Sequence, residues 1–215
     1  MPERWLERFP TPQEIFDRAL ALQAHRGLPM DERMIRCRDC EYAVFRSVEH
    51  AVESRVIEEG FNSIDEFLAR AQTILQRRKS RAGRSLELQL RAILDEENTA
   101  YAFQPTTESG NHPDFIFPSQ EAYDDPDYPV SRLRMLAAKT TVRERWRQIL
   151  NEADRIPVKH LFTLQEGMSE NQFAQMRDEN VRLVVPILLH TRYPQSVRGE
   201  LMTLQDFVSE TRAIA

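Results

Sequence analysis

No apolar run in this chain reaches the ~20 residues needed to cross a bilayer as a helix. Met1-Pro2-Glu3-Arg4 does not open a secretory signal, so a cytoplasmic protein with no membrane partner is expected. Cysteine is scarce: Cys37 and Cys40 form a lone Cys-x-x-Cys. A structural zinc needs a second ligand pair at suitable spacing, and the five histidines are scattered, so the pair reads as reduced cysteines on a helix. Internal repeats and low-complexity linkers are also missing. The net charge of -5 excludes a protein that is cationic all over and binds nucleic acid without discrimination.

What is there describes an ordinary globular chain. Its 215 residues, 41% hydrophobic and 29% charged, suffice for one full core or one core with a small appendage. The charge is unevenly spread. Between residues 76 and 91 Arg77, Arg78, Lys79, Arg81, Arg84 and Arg91 face the single acid Glu87, and between residues 132 and 147 six basic residues face Glu144 alone. The acids gather instead in residues 121–127 and 166–179. Two basic stretches on an acidic chain suggest a cationic cleft suited to phosphate neutralisation, against the plainer reading of two solvated helix faces.

The first eighty residues read as helical. Thr11-Pro12 starts a helix carrying Ile15, Phe16, Ala19, Leu20 and Leu22, and Leu28-Pro29-Met30 breaks it. A second runs from about Asp31 to Glu59, stopped by Gly60. Asn62-Ser63 caps a third, whose apolar stripe is Ile64, Phe67, Leu68, Ala71, Ile74 and Leu75. Residues 76–83, ending in Gly83, then form a basic connection to a long helix from Ser85. Strands follow at residues 101–104 and 115–117 and before Lys139, then a helix over residues 142–152. A strand at residues 160–164, a helix at 170–178, an apolar strand at 183–189 and a helix at 203–212 complete the chain. This alternation predicts an α/β fold, a mixed β-sheet flanked by helices, behind an N-terminal helical region. The expected division is residues 1–80 for the helical region and 81–215 for the α/β core, together one compact unit.

Chemistry concentrates in residues 111–152. Asp114 begins one strand and Lys139 ends the next, 25 positions later, with a Tyr/Asp/Pro-rich loop between them. A carboxylate and an ammonium at neighbouring strand ends suit phosphodiester hydrolysis: hard oxygen ligands hold Mg²⁺, and the lysine orients water or stabilises phosphate charge. Glu152 lies where the following helix ends and supplies a second carboxylate; Glu87 is a further candidate ligand or base. Arg143, Glu144 and Arg145 occupy the first turn of that helix, placed to read guanine and cytosine edges in a major groove. Trp146, Ile149 and Leu150 are expected to pack inward. A salt-bridged helix surface is the alternative for the charged residues.

Leu136-Ala137-Ala138-Lys139-Thr140-Thr141-Val142-Arg143-Glu144-Arg145-Trp146-Arg147-Gln148-Ile149-Leu150 and Arg77-Arg78-Lys79-Ser80-Arg81-Ala82-Gly83-Arg84-Ser85-Leu86-Glu87-Leu88 resemble the signature of the EcoRII-type restriction endonucleases. The resemblance runs from about Arg36 to the C-terminus and includes relatives cutting CCNGG-like sites. These belong to the PD-(D/E)xK superfamily, in the branch whose last acid has moved from the strand to the following helix, which accounts for Ala137 two residues before the lysine. The resemblance implies a restriction-endonuclease-like core and a Mg²⁺-dependent type II enzyme. It implies a homodimer cutting both strands of double-stranded DNA at a short palindromic CCNGG- or CCWGG-like site. A DNA methyltransferase of the same system would be its functional partner. In this reading Asp114 and Glu152 are metal ligands, Lys139 the catalytic lysine, Glu87 the auxiliary acid and Tyr123 an active-site tyrosine. Arg143, Glu144 and Arg145 read the G·C pairs and Gln76 adds a base contact. Arg77, Arg78, Lys79 and Arg81 meet phosphates, and Arg38 with Tyr42 form a pocket for a flipped central base. With only ~35 residues before the match, no separate effector domain and no second activating site are expected. A non-catalytic DNA-binding regulator, or a repair or structure-specific nuclease of the superfamily, would share parts of this pattern.

Overall fold

Strand pairing sets the position of the candidate site. The structure, a computed structural model, describes residues 2–22 and 27–214, with the Glu144 side chain left out. Five strands, β1 (Ala102–Phe103), β2 (Phe115–Phe117), β3 (Arg134–Ala138), β4 (Lys159–Phe162) and β5 (Val181–Val184), lie side by side in sequence order. β1, β2 and β3 pair antiparallel, whereas β3, β4 and β5 pair parallel. β2 and β4 are buried along their whole length, which suits an α/β sheet covered on both faces. Phe115, Phe117, His160 and Phe207 pack into one aromatic cluster, with Phe117 and Phe207 rings 5.5 Å apart and His160 5.0 Å from Phe207. The expected mixed sheet flanked by helices is present.

The helices are α1 (Arg4–Glu7), α2 (Pro12–Leu22), α3 (Met30–Glu59), α4 (Ile64–Glu96), α5 (Gln120–Asp124), α6 (Glu170–Asp178) and α7 (Leu204–Ile214). Gly60, at φ 80°, ends α3 as its sequence suggested. The chain forms two units, residues 1–28 with 35–89, and residues 29–34 with 90–215. The division therefore falls inside α3 and α4 rather than at residue 80.

Three local expectations change. Residues 76–83 are not a connection: α4 runs through them, and Gly83 sits in its interior at a cost of about 1 kcal/mol relative to alanine. The reason is cross-helix pairing within the first unit. Arg70 and Arg77 both reach Glu53 at 2.7 Å, Arg78 reaches Glu49 at 2.7 Å, and Arg81 reaches the fully buried Glu41 at 3.1 Å. Secondly, of the apolar stripe on α4, Ile64, Phe67, Leu68 and Leu75 are exposed. Thirdly, β5 stops at Val184 because Pro186 cannot extend the ladder, and residues 187–192 wind into a 3₁₀ helix.

Candidate active site

Phe115 pairs with Leu136 across β2 and β3, so Asp114 and Lys139 meet at one edge of the sheet despite their separation in sequence. Asp114 Oδ2 accepts from the Ala138 backbone N–H at 2.7 Å and from Lys139 Nζ at 3.0 Å. Asp114 is buried and Lys139 half-buried. The Lys139 N–H continues the ladder by donating to the Phe162 carbonyl at 3.0 Å, which anchors the lysine to β4. The ion pair thus rests on rigid strands rather than on loops.

After Lys139 the chain turns through Thr140 and Thr141 into a 3₁₀ helix, Arg143–Asn151, where an α-helix was expected. Its tighter three-residue turn stacks positions i and i+3. Trp146 and Ile149, three apart, are buried as expected; Leu150 is half-buried. Both ends of the entry turn are held by glutamines: Gln165 Oε1 accepts from the Val142 N–H at 2.8 Å, and Gln172 Nε2 donates to the Arg143 carbonyl at 3.0 Å. Arg143, with φ 23°, and Arg145 are exposed, as a base-reading turn requires. The Glu144 side chain lies outside the described residues.

Glu152 follows the 3₁₀ helix directly, its N–H donating to the Ile149 carbonyl at 3.1 Å. Its Oε2 is buried with no hydrogen-bond partner. Burial raises its pKa to about 7; Lys139 and Lys159 act to lower it and Asp114 to raise it, so Glu152 feels both members of the ion pair. An orphaned buried carboxylate oxygen beside a second carboxylate is the donor set a hard divalent cation takes up, since such ions complete their shell with water and substrate phosphate. No group of three or more candidate ligands occurs among the described residues.

Tyr123, on α5, is buried at the far side of this region. Its hydroxyl donates to Glu108 at 2.5 Å, and burial with Glu108 pushes its pKa up, so it stays a protonated donor. Glu87 lies on α4 in the first unit, where it accepts from Arg84 at 3.0 Å. The first unit also carries Gln76, Lys79, Arg38 and Tyr42. Gln76 and Lys79 are exposed, Arg38 pairs with Asp39 at 2.8 Å, and Tyr42 is 50% exposed. Arg77, Arg78 and Arg81 are engaged with the acids of α3, so the first basic stretch is largely neutralised within its own unit. Neither cysteine is in a disulfide, and Cys40 Sγ donates to the Ala19 carbonyl at 3.7 Å. No described helix is long and apolar enough to cross a membrane.

Sequence reasoning missed Lys159, Glu108 and Asn111. Lys159 had a visible signal, a lysine opening an apolar strand; Glu108 and Asn111 had none, because the backbone groups of residues 151–155 that they hold lie 40 or more positions away.

The chain is similar to known restriction enzymes. The type II restriction enzyme EcoRII of Escherichia coli is 50% identical over 211 residues, covering 98% of this chain and 52% of that protein. The chain therefore spans about half the length of that curated relative. Ecl18kI, solved metal-depleted in complex with uncleaved, modified DNA, superposes with a TM-score of 0.77 at 19% identity, over 97% of this chain and 79% of that one. PspGI, solved with its substrate DNA, gives 0.73 at 18% identity over 97% and 94%. These two show the same fold. The sequence model described as EcoRII C terminal matches residues 45–208, most of the chain, and the chain belongs to that family.

Proposed function

We propose that this protein is a type II restriction endonuclease that hydrolyses both strands of double-stranded DNA at a short palindromic CCNGG- or CCWGG-like site. The observation that carries the proposal is the Asp114–Lys139 pair at neighbouring strand ends, with Glu152, whose buried Oε2 has no hydrogen-bond partner, subject to the same charges. Mg²⁺, held by Asp114 and Glu152, would polarise the scissile phosphate and lower the pKa of an attacking water. Asp114 fixes the Lys139 ammonium, and that ammonium donates to water or to a phosphate oxygen as negative charge builds up. The exposed Arg143 and Arg145 suit guanine contacts, with Glu144 and Gln76 as further readers. Lys79 and the outer faces of Arg77, Arg78 and Arg81 suit phosphates. Glu87 would serve as an auxiliary acid and Tyr123 as a buried donor. The enzyme works as a homodimer, since a palindrome presents each half-site twice; the exposed Ile57, Ile64, Phe67, Leu68 and Leu75 suit burial against a second copy. A cytoplasmic methyltransferase of the same system would protect host sites.

The test is digestion of phage DNA with Mg²⁺ followed by sequencing of the ends. One palindromic sequence at every end is expected, with Asp114→Ala, Lys139→Ala and Glu152→Ala each lowering cleavage at least ~10³-fold while DNA binding persists. Ends of random sequence would overturn the site-specific reading, and Mg²⁺-dependent cutting by Asp114→Ala would overturn the proposed site.

A further inference from the structure

Glu152 stands on a turn, residues 152–155, that follows the 3₁₀ helix and that no strand or helix fixes. Side chains hold it instead. Asn111 Nδ2 donates to the Asn151 carbonyl at 2.7 Å. Lys159 Nζ donates to the carbonyls of Glu152 at 2.6 Å and Ala153 at 2.7 Å. Glu108 accepts from the Asp154 N–H at 3.2 Å, and the Arg155 N–H points to the Tyr123 hydroxyl at 3.5 Å. The Arg155 guanidinium in turn donates to the carbonyls of Tyr123 and Tyr128. Five consecutive residues therefore have a backbone group engaged by a side chain. The turn needs this, because Ala153 sits at φ 53°, a conformation that costs an L residue about 1–3 kcal/mol unless its surroundings impose it.

Lys159 is the centre of the arrangement. It is 5% exposed, and both its bonds described here go to carbonyl oxygens rather than to a carboxylate. Burying an ammonium is unfavourable even with the charges of Asp154, Glu108 and Glu152 acting on it, and a methionine of similar length would avoid that cost. What the ammonium does and methionine cannot is grip two successive carbonyls, the first of them belonging to Glu152.

We propose that Lys159 is a positioning residue, fixing the peptide that follows Glu152 so that its carboxylate is presented with Asp114 to a divalent cation. The proposal rests on the reading of Glu152 as a metal ligand. The sign of the effect separates positioning from electrostatics. A buried cation near a metal site repels the metal, so removing its charge alone tightens binding. Releasing the turn loosens it.

The experiment titrates Mn²⁺ into the full-length protein without DNA and follows free Mn²⁺ by electron paramagnetic resonance. Lys159→Met should weaken Mn²⁺ binding by about tenfold or more, the scale on which supports of metal ligands act, and the neutral Asn111→Ala should weaken it severalfold. A Lys159→Met protein that melts cooperatively and binds Mn²⁺ as tightly as the wild type, or more tightly, overturns the proposal. Should Lys159→Met not fold, Asn111→Ala decides, and wild-type affinity there overturns it. Glu152→Ala separates the two failures. If it weakens Mn²⁺ binding while Lys159→Met does not, only the positioning role falls; if it leaves binding unchanged, the reading of Glu152 falls and takes the Lys159 proposal with it.

Discussion

His160 shows what burial does to a single titratable group. It lies on β4, 2% exposed, against Phe207, with its Nδ1 unpartnered. Burial, with Arg182 and Arg134 facing it, depresses its pKa from 6.5 to about 3. The folded protein therefore keeps the ring neutral while the unfolded chain protonates it as pH falls below 6.5. Stability from this group is complete above pH 6.5 and is lost progressively as pH falls towards 3. At pH 5 the loss amounts to ~2 kcal/mol. His160→Gln, which removes the titration, should narrow the stability gap to wild type by that amount between pH 7 and pH 5. Urea unfolding at both pH values measures it; parallel pH dependences would contradict a buried neutral histidine. None of this was legible in the sequence, where His160 is one of five scattered histidines. That Asp114 and Lys139 would meet was legible, because both stand at strand ends. Lys159 left one mark, a lysine opening an apolar strand, but its role was not legible, because its partners are carbonyls, which carry no mark in a sequence.

At the scale of elements, strands were easier to anticipate than the windings between them. β2 and β3 stand where one apolar run follows Asp114 and another precedes Lys139, since alternation and burial fix strands locally. The 3₁₀ form of Arg143–Asn151 depends on Gln165 and Gln172 reaching back from another segment, and the continuity of α4 depends on acids of α3 pairing with its arginines. Those acids also explain why a basic stretch in sequence is not an open cationic face. A similar long-range tie lies at Asp31, on the first turn of α3 and grouped with the α/β unit. Its buried carboxylate accepts from the N–H groups of Ile187, Leu204 and Gln205, each at 3.1 Å, capping the start of α7 and anchoring the 3₁₀ helix after β5. Asp31→Ala leaves three donors without their acceptor and should destabilise the protein by about 3 kcal/mol, lowering Tm by roughly 10 °C. Asp31→Asn keeps one oxygen acceptor and should lose less. Calorimetry of the two variants ranks them; equal Tm values for Asp31→Ala and wild type would mean the three bonds contribute nothing net.

Over the whole molecule, the proposed function asks an acidic chain to grip a polyanion, so binding would come from a few placed contacts rather than from overall charge. In the proposed homodimer each contact would act twice, and the centre of a five-base-pair palindrome would lie between the two copies. Opening that centre by flipping its bases costs a few kcal/mol of unstacking, and a base that stacks on an aromatic side chain recovers about 1–3 kcal/mol. Tyr42 is suited to that exchange. It is half exposed, with the Arg81 guanidinium 5.4 Å from its ring, and Arg38 lies four residues earlier on the same helix. A duplex carrying 2-aminopurine at the central position reports the event directly, because the probe is dark in the stack and bright outside it. Its fluorescence should rise severalfold when the wild-type protein binds in Ca²⁺. The rise should shrink in Tyr42→Ala, which removes the stacking surface, and in Arg38→Ala, which removes the neighbouring cation. Cognate affinity should drop in step, since the unstacking cost is then no longer offset. A tight wild-type complex in which the probe stays dark would show that the central pair remains stacked, and that Tyr42 and Arg38 meet the DNA in another way.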